Sequence, residues 1–115
     1  MAAGKYHLDN LVATVDNNGL QFDGPVSEIM PLEPFADKWR ACGWHAIEVA
    51  DGPEFAQLEQ AYTEARAVAG KPVVLLCRTV KGKGISFMEN ATEWHGGSCN
   101  AEQLAQGNRD LGMEV

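Results

Sequence analysis

The sequence lacks long hydrophobic segments and is short of basic residues. Its longest unbroken apolar run extends only from Val73 to Cys77, far short of the roughly 20 residues that a membrane-spanning helix needs. The first residues have no apolar core of the kind found in secretory signal peptides, so none is expected. Nine Lys and Arg residues against sixteen Asp and Glu residues give a net charge of −7. This acidic balance disfavours a general nucleic-acid-binding protein, which must neutralise phosphates.

Cysteine is scarce as well. The three cysteines, Cys42, Cys77 and Cys99, are widely spaced and form no Cys-x-x-Cys pair. We therefore predict neither a disulfide framework nor a zinc site, and we expect a reducing compartment, the cytoplasm. What the chain does have is ordinary globular composition, with 45% apolar and 22% charged residues. Its 115 residues suit a single domain.

Hydrophobic patterning predicts an α/β fold built on a parallel sheet with flanking helices. Short apolar runs indicate strands near residues 11–16, 44–49 and 73–79. Apolar residues at helical spacing indicate helices near 32–43, ended by Gly43, and 54–69, ended by Gly70. Because strands and helices alternate, we expect right-handed βαβ units. Three strands are fewer than the roughly five or six of a doubly wound domain, so part of the domain is expected to come from another chain.

Several finer predictions accompany this outline. Asp51 and Glu54 are predicted to form a capping box at the start of the second helix. Residues 19–31 carry several Gly and Pro residues and are predicted to be a loop. A further helix is predicted after Asn100, with Leu104 and Leu111 on one side. The apolar face of the second helix is assigned to Phe55, Leu58, Tyr62, Ala65 and Val68.

Polar segments follow each predicted strand, where parallel sheets bind their ligands. Asp16-Asn17-Asn18-Gly19 follows the first strand, Asp51-Gly52 the second, and residues 79–84 the third. The asparagine amides and loop carbonyls of the first segment suit a hard cation such as Mg²⁺ or Ca²⁺. The same residues are equally suited to a simple turn. From the residues alone both interpretations are open.

The third segment and a nearby histidine offer complementary chemistry. Lys81 and Lys83 alternate with glycines, which lets the backbone approach an anion, although the spacing is not that of a Walker A loop. A solvated surface loop is the alternative. His95 lies between Trp94 and two glycines and is a candidate for proton transfer, or else a structural histidine. Together the segments suggest a phosphorylated ligand bridged by a metal, whereas His7 and His45 have no supporting neighbours.

Several segments, in matching order and spacing over roughly residues 4–104, resemble transketolase. The segments that carry the resemblance are Leu8-Asp9-Asn10-Leu11-Val12-Ala13, Asp16-Asn17-Asn18-Gly19-Leu20-Gln21, Asp23-Gly24-Pro25, Met30-Pro31-Leu32-Glu33-Pro34, Lys38-Trp39-Arg40-Ala41, Gly43-Trp44, Lys71-Pro72, the run from Thr79 to Asn90, and Trp94-His95-Gly96. The resemblance is to the second half of the thiamine-diphosphate-binding domain.

The resemblance implies a transketolase component that helps to transfer a two-carbon ketol group between phosphosugars. In the family, a Gly-Asp-Gly motif and a later asparagine hold Mg²⁺, and through it thiamine diphosphate. Asn18 then corresponds to the asparagine ligand, and Leu20 to a residue that ligates through its backbone carbonyl. Lys81 corresponds to a lysine that reaches into the cofactor site. His95 corresponds to a cofactor-binding and catalytic histidine near the diphosphate and the donor sugar.

The sequence departs from the family pattern in ways that imply partner chains. It contains no Gly-Asp-Gly motif, and the pyrimidine-binding domain with its activating glutamate is absent. The resemblance therefore implies one of two origins. The chain is a subunit of a split enzyme, an oligomer in which other chains supply these parts and the isolated chain is inactive, or it is a truncated piece of a transketolase. The family often has a basic residue and a proline after His95-Gly96, where this chain has Gly97-Ser98-Cys99. The alternatives are a non-catalytic module that binds a phosphorylated ligand or partner protein, and a related ketotransferase such as deoxyxylulose-phosphate synthase.

Overall fold

A parallel three-stranded sheet is the centre of the fold, described for residues 1–113 by a computed structural model. In chain order the elements are α1 (Ala2–Lys5), β1 (Val12–Asn17), β2 (Leu20–Gln21), β3 (Gly24–Pro25), α2 (Val26–Ile29), α3 (Phe35–Ala41), β4 (His45–Val49), α4 (Phe55–Ala67), β5 (Val73–Arg78), a 3₁₀ helix (Thr92–His95) and α5 (Ala101–Asp110). The predicted α/β class and the parallel sheet are confirmed.

The chain divides into two compact units. The first unit consists of Met1–Asn18 and Pro31–Thr79, and it contains the parallel sheet with α1, α3 and α4. The second consists of Gly19–Met30 and the chain from Val80 onward, and it contains the β2–β3 hairpin, α2, the 3₁₀ helix and α5. No helix in the described part of the chain is both long and apolar enough to cross a membrane.

β5 is the middle strand of the sheet, in the order β1-β5-β4, and both of its neighbours run parallel to it. Val12 of β1 and His45 of β4 both lie opposite Val73. Because the strand is covered on both faces, its apolar run is continuous rather than alternating. Val73, Val74 and Leu75 are fully buried. All three predicted strands are therefore present within a residue or two of their expected bounds.

The buried face of α4 confirms Leu58, Ala65 and Val68 of the predicted face and adds Ala61. Ala61 and Ala65 are buried against Ile47 and Val49 of β4 and the β5 side chains, with Leu58 and Val68 partly buried beside them. The contacting residues thus recur at intervals of three and four, as one side of a helix requires. Two small alanines at the centre of this face let the helix approach the sheet closely.

Two aromatic residues were assigned wrongly to that face. Phe55 is 85% exposed, because the helix begins at this residue and its side chain lies outside the buried stripe. Tyr62 is 40% exposed and lies at the margin of the face, where its hydroxyl shares a 2.9 Å hydrogen bond with the Thr14 hydroxyl of β1. Its polar end therefore keeps it at the surface.

The predicted capping box is also wrong. Glu54, not Asp51, is the N-cap of α4, and its carboxylate accepts a hydrogen bond from the Ala56 N–H at 3.3 Å. The Asp51 N–H instead donates to the Gln57 side-chain carbonyl at 2.9 Å. In a capping box the Gln57 side chain would accept from the N–H of the N-cap, Glu54. It accepts from the Asp51 N–H instead, so no capping box forms.

α3 is shorter than predicted but ends where expected. Leu32 lies before the helix, because Pro34 favours an extended conformation at the residue before it and the chain turns helical only at Phe35. At the other end Gly43 adopts φ +85°, which suits glycine and ends the helix. Trp39 is half-buried and its ring packs edge-to-face against Phe35 and Trp44, with centroids 6.3 and 5.1 Å apart.

The second unit contains regular structure where a loop was predicted. Within residues 19–31, β2 and β3 pair antiparallel, and α2 follows directly. The predicted helix after Asn100 is confirmed as α5. Asn100 forms a capping box with Gln103, in which the Asn100 side chain accepts from the Gln103 N–H at 2.9 Å and the Gln103 side chain accepts from the Asn100 N–H at 3.0 Å.

Candidate functional site

The carboxyl end of β1 leads into the first predicted metal ligand. The Asn17 carbonyl accepts a hydrogen bond from the Thr79 N–H at 3.4 Å, and the Thr79 hydroxyl donates to the Asp16 carboxylate. These bonds join the ends of β1 and β5, so the backbone that precedes Asn18 is held in place. Asn18 is half-buried and directly follows the carboxyl end of β1. Parallel sheets present their ligand-binding residues at the carboxyl ends of their strands.

The second predicted metal ligand, Leu20, lies in the β2–β3 hairpin. Gly19 before it has φ +74°, and its carbonyl accepts a hydrogen bond from the Val26 N–H at 2.9 Å. An added Cβ at Gly19 would meet no other atom within 4 Å, so this turn is open on that side. Leu20 lies opposite Pro25 in this hairpin.

The donor chemistry of these two residues fits a hard divalent cation. An asparagine amide and a main-chain carbonyl both supply oxygen ligands, which Mg²⁺ and Ca²⁺ prefer. Within residues 1–113, no three His, Cys, Asp or Glu side chains lie close enough together to hold a metal ion. A cation bound by either residue would therefore need most of its ligands, about six in all for octahedral Mg²⁺, from a phosphate, water or another chain.

The loop around Lys81 is folded onto itself. Gly82 has φ +73°, and an added Cβ would lie 2.5 Å from the Met88 carbonyl oxygen, so only glycine fits there. The Lys81 carbonyl accepts a hydrogen bond from the Asn90 N–H at 2.9 Å, and the Gly84 N–H donates to the Glu89 carboxylate at 2.9 Å.

The glycines of this loop therefore serve its closure, which differs from the predicted open cradle for an anion. The Glu89 carboxylate takes the place that a ligand oxyanion would take at Gly84. Lys81 is half-buried and Lys83 is exposed. The side chain of Lys81 remains the candidate for positive charge in this loop.

His95 is the last residue of the 3₁₀ helix, and its side chain is exposed. The neighbouring Trp94 fixes the segment, because its indole N–H donates to the Phe87 carbonyl at 3.0 Å and its ring lies 5.3 Å from the Phe87 ring. The imidazole itself contacts Phe22 edge-to-face, with ring centroids 5.4 Å apart and an interplanar angle of 80°. Sequence reasoning missed Phe22, since nothing in the local pattern links residue 22 to residue 95.

A carboxylate network was also missed. Asp110, at the end of α5, accepts hydrogen bonds from the Ser86 N–H at 2.8 Å, the Ser86 hydroxyl at 2.7 Å and the Gln106 side chain at 2.6 Å. These donors, above all the Ser86 hydroxyl, lower the pKa of Asp110. The network joins α5 to Ser86, which follows the loop around Lys81. Ser86 and Asp110 are 24 residues apart, too far to be paired from the sequence.

The predicted site residues are distributed over both units. Asn18 lies in the first unit, while Leu20, Lys81 and His95 lie in the second. The structure brings Phe22 and His95 together. The roles predicted for Asn18, Leu20, Lys81 and His95 stay predictions.

None of the three cysteines is among the predicted site residues. Cys77 is buried in β5, and burial, followed by the negative charge of Asp16, raises the pKa of its thiol. A raised pKa keeps the thiol protonated and unreactive at neutral pH. Cys42 is half-buried and Cys99 is exposed, and neither forms a disulfide in the described part of the chain.

The first unit also holds an open cavity of about 420 Å³ at the carboxyl ends of the strands. Asn17 and Arg78 line it from the sheet, and Arg40 lines it from α3. Arg40 contacts the carboxylates of Asp37 at 2.8 Å and Glu48 at 3.6 Å. The charge of Arg40 is thus largely balanced within the cavity wall, and both ion pairs are solvent-exposed.

Comparisons with known proteins extend over the whole chain. A family model described as "Transketolase, thiamine diphosphate binding domain" matches residues 1–115. The chain is 38% identical over 115 residues to one component of the apulose-4-phosphate transketolase of Phocaeicola vulgatus, covering 100% of this chain and 41% of that protein. It is 45% identical over 95 residues to the SqwG component of the 6-deoxy-6-sulfo-D-fructose transketolase of Clostridium sp. strain MSTE9, covering 83% of this chain and 34% of that protein. Both relatives are named as transketolase subunits.

A solved structure agrees with these relatives. Transketolase from Leishmania mexicana superposes with a TM-score of 0.89 at 30% sequence identity, covering 98% of this chain and 17% of the larger one. The chain thus spans less than half the length of each of these three proteins. The parallel sheet and flanking helices of this chain therefore have the fold of the matching part of that transketolase.

Proposed function

The chain belongs to the thiamine-diphosphate-binding domain family of transketolases, and from this premise we propose that it is one component of a divided transketolase. The assembled enzyme would transfer a two-carbon ketol group between phosphosugars. The observation that carries the proposal is the match of residues 1–115 to this domain family. Support comes from the two bacterial relatives named as transketolase subunits.

The proposed contribution of this chain to metal binding is two oxygen ligands. The Asn18 side-chain carbonyl and the Leu20 main-chain carbonyl would bind Mg²⁺, or Ca²⁺ in its place. Octahedral Mg²⁺ accepts oxygen ligands and commonly bridges protein to phosphate, so the cation would anchor the diphosphate of the cofactor. A carboxylate from a Gly-Asp-Gly segment on another chain would complete the set.

Two further side chains would act on the bound groups. Thiamine diphosphate, when bound, supplies a nucleophilic carbon and an electron sink for cleavage of the donor sugar. The Lys81 ammonium would place positive charge beside the cofactor. The His95 imidazole would donate a hydrogen bond to the diphosphate or to the donor sugar and would carry a proton at the reacting end. General acid–base groups of this kind typically contribute about 10²–10⁴-fold to rate.

The proposal requires partner chains. These would supply the Gly-Asp-Gly segment and the pyrimidine-binding domain, whose glutamate activates the cofactor ring, and the active form would be an oligomer. Reading frames beside the gene are the first place to look for them. A cytoplasmic location is proposed with them, on the basis of the scattered cysteines.

Two substitutions in the co-expressed assembly test the proposed roles. Asn18→Ala should weaken binding of Mg²⁺ and thiamine diphosphate, and an excess of both should partly restore turnover. His95→Ala should lower turnover by about 10²-fold or more while leaving cofactor affinity nearly intact. Cofactor affinity is measured by calorimetric titration, and turnover with a ketose-phosphate donor and an aldose-phosphate acceptor.

His45→Ala serves as the matched control, because His45 lies in β4 and is not assigned to the site. It should leave both quantities unchanged. Wild-type affinity and turnover in both Asn18→Ala and His95→Ala would contradict the proposal and favour a non-catalytic module. A thiamine diphosphate titration of the isolated chain, run beside the assembly, measures how much of the binding depends on the partners.

A further inference from the structure

Phe22 is a large aromatic residue in an exposed position. It occupies the two-residue turn between β2 and β3, and its side chain is 70% exposed. Its ring nevertheless makes one specific contact, the edge-to-face contact with the His95 imidazole. An exposed pair of this kind buries little surface, so the core of the fold does not depend on it.

The two rings meet because each is carried by an anchored segment of the second unit. On one side, the hairpin is closed by the Val26 N–H bond to the Gly19 carbonyl, and Gly24 lies against Ile29 of α2. On the other side, Trp94 is fixed to Phe87 by a hydrogen bond and by ring packing. The contact therefore joins two independently supported backbones.

We propose that Phe22 is a positioning residue that orients the imidazole of His95. Aromatic rings prefer edge-to-face geometry over a stacked sandwich, so the Phe22 ring favours a narrow range of imidazole orientations. An exposed histidine without such a neighbour samples several rotamers. Proton transfer depends on the direction of the ring nitrogens, and small misplacements are costly to rate. The catalytic consequence rests on the function proposed for His95, whereas the contact itself can be tested without it.

The first experiment measures the orientation of the imidazole in the isolated 115-residue chain. The ring protons of His95 are assigned by nuclear magnetic resonance, using His95→Gln to identify them. Phe22→Leu keeps an apolar side chain but removes the ring, so the His95 ring signals should move to the positions of an unstructured histidine. Phe22→Tyr keeps the ring and should preserve the wild-type positions.

The matched control is Phe55→Leu. Phe55 is also highly exposed, at 85%, and makes no ring contact with any residue in the described part of the chain. It should leave the His95 signals unchanged. Unchanged His95 signals in Phe22→Leu would overturn the proposal, as would an equal change in Phe22→Leu and Phe55→Leu.

The second experiment is a double-mutant cycle in the co-expressed assembly. Phe22→Leu should lower kcat by about tenfold, a fraction of the contribution of a general acid–base group, with little change in KM for the donor. In a His95→Ala background the same substitution should have no further effect, because Phe22 acts through His95. Independent, additive losses would overturn the positioning role. Full turnover of His95→Ala would instead overturn the proposed function, while the resonance experiment still decides the contact.

Discussion

Asp110 is the residue at which the stability of the second unit should respond most clearly to pH. Its carboxylate accepts three hydrogen bonds, from the Ser86 N–H and hydroxyl and from Gln106, and these lower its pKa in the folded protein. The unfolded chain therefore takes up a proton at higher pH than the folded one. The stabilisation is fully present above the ordinary aspartate pKa of about 3.9 and is lost as the pH falls through the lowered folded value.

We accordingly predict that Asp110→Ala destabilises the attachment of α5 at pH 7 but has less effect at pH 3. Hydrogen exchange of the α5 amides at the two pH values measures this. The matched control is Asp23→Ala, which removes an exposed carboxylate in the hairpin turn and should not change exchange in α5. An Asp110→Ala effect that is equally large at both pH values would contradict the role assigned to the ionised carboxylate.

At the scale of elements, α4 shows how burial rather than residue size sets stability. Ala65 is 3% exposed against the sheet, whereas Phe55 is 85% exposed on the same helix. We predict that Ala65→Leu overpacks the interface and lowers the free energy of unfolding by about 1–3 kcal/mol. Phe55→Ala, although it removes a whole aromatic ring, should change the free energy of unfolding by no more than about 0.5 kcal/mol.

Urea unfolding followed by circular dichroism measures both changes. Each variant serves as the control for the other, because a general sensitivity of α4 to substitution would destabilise both. A larger loss in Phe55→Ala than in Ala65→Leu would show that Phe55 is buried, and would contradict the structure of this helix.

The same helix shows what sequence patterning captures and what it misses. The three strands and the two main helices follow from apolar spacing, and the continuous run in β5 indicates a strand buried on both faces. On α4 the pattern identifies Ala65 correctly but misses Ala61, because a lone alanine gives a weaker apolar signal than the large side chains of Phe55 and Tyr62, which lie outside the buried face. The hairpin was missed because its strands, Leu20–Gln21 and Gly24–Pro25, are too short to show alternation.

Side-chain contacts that join distant residues were beyond prediction from the sequence. Asp110 and Ser86 are paired through the fold of the second unit, and so are Phe22 and His95. The candidate ligand Asn18 rests on strand-end chemistry and on family resemblance together, since an Asn-Asn-Gly sequence by itself serves a simple turn equally well. Leu20 rests on the resemblance alone. The loop around Lys81 shows the converse, because its glycine pattern predicts a ligand cradle, whereas in the structure Gly82 and Gly84 close the loop onto Met88 and Glu89.

At the scale of the whole molecule, the open edge of β1 bears most directly on assembly. Val73 and Thr79 donate to the carbonyls of Leu11 and Asn17, so the odd-numbered residues of β1 bond to β5. Alternate residues of a parallel strand face opposite neighbours, which directs the peptide groups of Val12 and Thr14 away from β5. Within residues 1–113, β5 is the only strand paired with β1.

The other edge of the sheet is better protected. On β4, Glu48 contacts Arg40 and His45 contacts Glu64, each at 3.6 Å. Charged residues on an edge strand discourage further pairing. β1 has no charged residue before Asp16, and Val12 is 37% exposed. The uncharged edge is therefore the one expected to accept a strand from another chain.

We predict that the chain associates through β1. Sedimentation of the purified chain should give a mass above 12.5 kDa that rises with concentration, and the outward amides of Val12 and Thr14 should exchange more slowly at high concentration. Val12→Lys should reduce both effects, because it places a charge on the edge. Leu104→Lys adds the same charge to an exposed apolar residue of α5 and should leave association unchanged. A stable monomer at every concentration, with fast exchange at Val12 and Thr14, would contradict the prediction.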